Sequence, residues 1–91
     1  MDLNKLLNNV INKYGKNKGY EIPTISWSDE NMFATFAEYQ YWKNHIKISR
    51  LLNNEQISEK VIEALIYHEY THQLIADHTA EFNKKMEKFD G

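Results

Sequence analysis

Between residues 2 and 14 the apolar side chains are Leu3, Leu6, Leu7, Val10, Ile11 and Tyr14, spaced along one helical face with Asn and Lys opposite. The spacing predicts an amphipathic helix with Asp2 as its N-cap. Gly15 is placed to end it, and GKNKG (15–19) reads as a loop. The period then shortens to two. EIPTISW (21–27) reads as a strand, which Pro23 pushes toward a sheet edge or a late start. SDEN (28–31) is a turn, and MFATFAEYQYW (32–42) is an aromatic, alternating stretch that reads as a second strand. Residues 43–44 turn the chain again. HIKISRLL (45–52) sets Ile46 and Ile48 on one side and Lys47 and Ser49 on the other. The expected sheet is an antiparallel meander of about three strands.

From about residue 55 the helical period returns. NNEQISEK opens a helix that Val61, Ile62, Leu65 and Ile66 continue to about residue 76. Thr79 reads as the N-cap of a last helix over 80–89, with Phe82, Met86 and Phe89 as its inner stripe. The predicted class is α+β: an N-terminal helix, a three-stranded antiparallel sheet, a histidine-bearing helix and a C-terminal helix. Together they form one domain over residues 1–91.

Composition narrows what such a domain does. A chain of 91 residues buries a modest core and commonly draws further stability from a metal, an oligomer or tight helix packing. The absence of cysteine excludes disulfides and thiolate metal ligands. The net charge of −2 gives no general attraction to nucleic acid or anionic lipid, so neither is expected as a partner. No apolar run has the length of a membrane span. MDLNKLLNNV lacks the apolar core and cleavage site of a secretory signal, so a cytoplasmic location is expected.

The chemistry concentrates in IYHEYTHQLIADH, residues 66–78, which holds three of the four histidines. His68 and His72 stand four apart, so both leave one helical face a turn from each other, with Glu69 on the adjacent flank. On the wheel Val61 and Leu65 fall beside the histidines and Ile62 beside Glu69, so the ionisable group continues the apolar stripe. Ionisable groups on an inward face must be hydrogen-bonded, paired or bound to a cation. Zn²⁺ answers that need, because two imidazoles one turn apart can meet it at about 2.0–2.1 Å. Glu69 then sits outside the ligand set, where it can take a proton from zinc-activated water and pass it to a leaving amine. This is the HExxH arrangement, which requires a helix.

Catalytic zinc commonly takes three protein ligands. His78, six residues past His72 where the helical pattern stops, is the leading candidate for the third, and Glu81 is the rival. Asp77 reads equally well as an acceptor holding a ligand histidine or as a solvated turn residue. Tyr41, Tyr67 and Tyr70 are candidate oxyanion donors, but a packed ring is the better reading of each. Trp27 and Trp42 read as core or rim packing, and His45 as a surface histidine. A peptide substrate would lie along an exposed sheet edge, expected within 32–50, and add a strand there.

At these residues the chain resembles the zinc-dependent peptidases called zincins, and among them the SprT-like and YgjP-like branch. That branch carries HExxH, a third histidine after a short spacer, then a small residue, an acid and an aromatic. Here the run is HEYTHQLIADHTAEF. The step from His72 to His78 matches the YgjP-like form, Phe82 matches its aromatic, and ISRLLNNEQISEKVIEALIYHEYTH resembles the approach to the helix. The likeness covers roughly residues 46–89. It implies a zinc peptidase with His68, His72 and His78 as ligands, Glu69 as general base and a protein or peptide substrate. Tyr70 and Thr71 depart from the small or aliphatic residues of the family. The chain is as short as the single-domain minigluzincins, which use a Glu ligand. The alternative is a latent or non-catalytic zinc-binding module that acts by binding protein.

Overall fold

Asp2 caps the first helix, α1 (Leu3–Tyr14), by accepting hydrogen bonds from the backbone N–H groups of Asn4 and Lys5. Gly15 ends it at φ 95°, a conformation open mainly to glycine, and returns its N–H to the Ile11 carbonyl. A computed structural model describes residues 1–89 of the chain; residues 90 and 91 of the single domain expected over 1–91 lie outside the described residues. The remaining elements are β1 (Thr24–Trp27), β2 (Ala37–Gln40), β3 (His45–Ile48), α2 (Glu59–His72) and α3 (Ala80–Met86). The class is α+β, and none of the described helices is long and apolar enough to cross a membrane.

The sheet departs from the expected meander. Its order is β1-β3-β2, with β1 parallel to β3 and β2 antiparallel to it, so the sheet is mixed. The reason lies in residues 28–36, read from sequence as a short turn entering a strand. Ser28 donates its N–H to the Ile48 carbonyl, the Phe36 carbonyl accepts from the Ser49 N–H, and the Met32 N–H reaches the Ser49 hydroxyl. The segment therefore wraps the end of β3 and delivers β2 to its far side. Alternating hydrophobicity specifies which face of a strand is buried, and that is the same for either neighbour order.

Element lengths differ for local reasons. Pro23 gives the late start of β1 that was expected. The stretch 32–42 is a strand only over Ala37–Gln40, since Phe33 is 72 % exposed and Tyr41–Lys43 form a 3-10 turn. α2 begins at Glu59, later than residue 55, because Asn54 caps its own turn through Gln56 and Ser58 supplies the N-cap, accepting from Val61. It ends at His72, earlier than residue 76, where Gln73 and Leu74 tighten onto the Tyr70 and Thr71 carbonyls.

α2 packs against both α1 and the sheet, and α1 also touches β1. Leu6, Val10, Ile46, Ile48, Ile62 and Ile66 are buried at the centre of this packing. Phe82 is also buried, and Met86 and Phe89 pack at the margin of the core, but α3 ends at Met86 and not at the expected residue 89, so Phe89 packs from the turn that follows the helix. The open edge of β2 is left beside the last turns of α2.

Candidate metal centre

Ile62, Ile66 and Glu69 follow one another at four- and three-residue steps on α2, and all are buried. Glu69, 7 % exposed, occupies the apolar stripe itself. His68 and His72 lie on its half-buried flank, and Val61, placed beside them on the wheel, is largely exposed. The buried side is thus set one position away from the one the wheel suggested, because α2 faces α1 and the sheet together.

The bend over 73–78 returns His78 to this flank. Thr79 then caps α3, its hydroxyl accepting from the Phe82 N–H. His68 Nε2 lies 3.3 Å from His72 Nε2 and 3.2 Å from His78 Nε2, and the three ligand atoms all fall within 4.8 Å of one another. Two nitrogens bound at about 2.0–2.1 Å to a tetrahedral ion stand about 3.3 Å apart. The donor set also has the right proton placement. His72 Nδ1 lies 3.0 Å from the Ile75 carbonyl, which accepts only, so Nδ1 carries a hydrogen and Nε2 is the nitrogen turned to the cluster. His68 Nε2 faces two nitrogens and has at most one hydrogen to share, so it cannot donate to both. This histidine triad is able to bind a metal. Phe82 supports it from below, its ring 4.5 Å from that of His72 and 4.9 Å from those of His68 and His78. Glu81, the rival ligand, is exposed on α3 and outside the metal-capable group found among the described residues.

Burial raises the Glu69 carboxyl to a pKa of about 7, with the Glu38 charge adding to it and the Tyr39 backbone N–H opposing it. The consequence for the metal-free protein has a definite sign. The folded state binds this proton more tightly than the unfolded state does, so the contribution is full below about 4.5 and lost as pH rises through about 7. The loss amounts to about 3 kcal/mol. Metal-free Glu69→Gln is therefore expected to be more stable than the parent at pH 8, with the gap closing toward pH 5. Urea unfolding at the two pH values checks this, and an equal gap at both rules out the titration.

Glu38 and Tyr39 on β2, with Thr35, Ala37, Tyr41 and Ala76, line a cleft of about 480 Å³ that opens onto Glu69 and the three histidines. β2 is thus the exposed edge within 32–50. Of the tyrosines, Tyr67 donates to the Lys85 carbonyl and Tyr70 accepts from the Asn17 N–H, both at 2.8 Å within the packing. Only Tyr41 among the three reaches the cleft. Trp27 packs against the core and Trp42 lies exposed against Tyr41. His45 lies apart, its ring nitrogens 2.6 Å from the Thr24 hydroxyl and 2.8 Å from that of Ser26. Burial, then Lys43 and Lys47, lower its pKa. Asp77 accepts from the Thr79 N–H through its carbonyl, and the acceptor that orients His72 is the Ile75 carbonyl. Neither that carbonyl nor the Tyr39 N–H has a signature in sequence, because every residue carries such groups.

The fold is similar to that of the metallopeptidase zymogen of Pyrococcus abyssi abylysin, with a TM-score of 0.75 at 16% identity over 99% of this chain and 82% of that one. The chain therefore shares the fold of that zymogen. No family model and no curated protein matches the sequence.

Proposed function

We propose that this chain is a zinc-dependent peptidase in which His68, His72 and His78 hold the metal and Glu69 is the general base. The observation that carries the reading is the convergence of three imidazole nitrogens, two pairs of them 3.2 and 3.3 Å apart, beside a buried carboxylate and facing an open strand edge. Zinc among histidines supplies Lewis acidity, which polarises a carbonyl and acidifies a water. The chain's own residues supply the rest. The edge of β2 takes an extended peptide by main-chain pairing. A Glu69 carboxylate oxygen receives the proton of the attacking water and returns it to the leaving amine. The Tyr39 N–H holds that carboxylate in place. Ile75 keeps the His72 ring turned inward. The six-residue step from His72 to His78 supports the YgjP-like kinship, and with it an enzyme acting on protein or peptide.

A second reading is favoured by one finding, that the similar structure is a zymogen. On that reading the chain is latent or acts by binding protein. Turnover of an unfolded protein, lost on chelation, separates the two readings.

The ligand set has its own test. Metal analysis after equilibration with zinc is expected to give one ion per chain for the parent and for Glu81→Ala. His78→Ala is expected to bind more weakly by more than the about 10–100-fold that follows loss of an outer-shell partner. The reverse result transfers the third ligand to Glu81.

A further inference from the structure

The cleft does not stop at the histidines. Past His72 it continues as a groove of about 540 Å³, within the range of about 300–1,000 Å³ usual for ligand pockets. The two parts share Tyr39, Tyr41, His72 and Ala76, so they form one channel along the edge of β2. The walls of the continuation include Tyr20, Tyr41 and Leu74, all exposed.

Beneath them lies a rigid polar floor. The Gln73 amide donates to the Glu21 carbonyl and to Asn44 Oδ1 at 2.8 Å, and accepts from Asn17 Nδ2 at 3.0 Å. Tyr39 donates its hydroxyl to the same Asn44 oxygen at 2.7 Å. These groups satisfy one another, so the groove offers a ligand apolar contact in a fixed shape.

Its position along the channel gives it a polarity. β2 runs from Ala37, beside Thr35, toward Gln40 and Tyr41. Its paired edge is antiparallel to β3, and antiparallel pairing is the stronger kind per residue. A peptide added antiparallel to the free edge therefore has its amino end over Tyr41, Tyr20 and Leu74 and its carboxyl end over Thr35. His68 and His78 line only the part that holds Thr35 and His72 lines both parts, so the continuation lies on the amino side of the triad.

From this placement, and resting on the peptidase reading above, we propose that Tyr20, Tyr41 and Leu74 form a specificity subsite. It selects peptides with a bulky apolar side chain a few residues to the amino side of the bond that is cut.

The test uses fluorogenic peptides that are identical except for Phe or Ala, placed in turn at the three positions on either side of the scissile bond. With the zinc-loaded protein, Phe on the amino side is expected to raise kcat/KM about tenfold or more over Ala, and the ratio is expected to approach one in Tyr41→Ser/Leu74→Ser. Both substituted side chains are exposed, and circular dichroism checks that the double variant folds. Anisotropy of the same peptides on zinc-loaded Glu69→Gln reads the subsite without turnover, with Phe expected to bind about tenfold tighter. Turnover with no preference, or a preference on the carboxyl side only, overturns the subsite and leaves the peptidase reading standing. Selective binding of the Phe peptide without turnover by the parent supports the subsite and overturns the peptidase reading. No selective binding and no turnover overturns both.

Discussion

Glu69→Gln is expected to keep its zinc and lose about 10²–10⁴-fold in peptide turnover. The amide has nearly the shape of the carboxyl, so the buried stripe through Ile62 and Ile66 stays filled. The three histidines stay in place, because their contacts are to one another, to Ile75 and to Phe82. What disappears is a group that takes a proton from water and gives it back. The variant should also be the more stable protein above pH 7 when metal-free, since it no longer carries an ionised carboxylate 7 % exposed. Loss of activity with a gain in stability is the signature of a residue kept for chemistry. Metal analysis beside a peptide assay checks the first half, and retained turnover would falsify the role given to Glu69.

Zinc is expected to raise the melting temperature by about 10–20 °C once the free metal is about a hundredfold above Kd. At that ratio ligation contributes about 2.7 kcal/mol, and each kcal/mol moves the midpoint of a domain this size by about 4–8 °C. The coupling has a structural basis. Two of the proposed ligands come from the end of α2 and the third from the bend after it, so a bound ion would close that bend and hold α3 against the core. His72→Ala removes one ligand and should lose the zinc-dependent rise. Thermal scans with and without chelator, on parent and variant, make the measurement. A parent midpoint that chelator does not move would separate metal binding from folding.

Much of this site is legible in the chain because its parts are local. The His68–His72 step, the Thr79 cap and the Phe82 stripe are set by helical periodicity and capping chemistry, which act over a turn or two. The position of Glu69 was less so. A wheel shows which residues share a side, but the packing partners decide which side is buried, and α2 has partners on two sides.

The sequence by itself determined the existence and order of the helices, the Asp2 and Thr79 caps, the burial of Ile46 and Ile48 on β3 and the presence of three imidazoles that adjoin one acid. Each follows from forces between residues close along the chain. Only the tertiary structure decided the strand order, the convergence of His78 on His68, and the channel that joins the triad to Tyr20 and Leu74. These depend on the loop over 28–36 wrapping β3 and on side-chain amides bridging residues up to 56 apart in sequence, as from Asn17 to Gln73. Such contacts leave no period in the chain, because nothing nearby in sequence senses them until the core has closed.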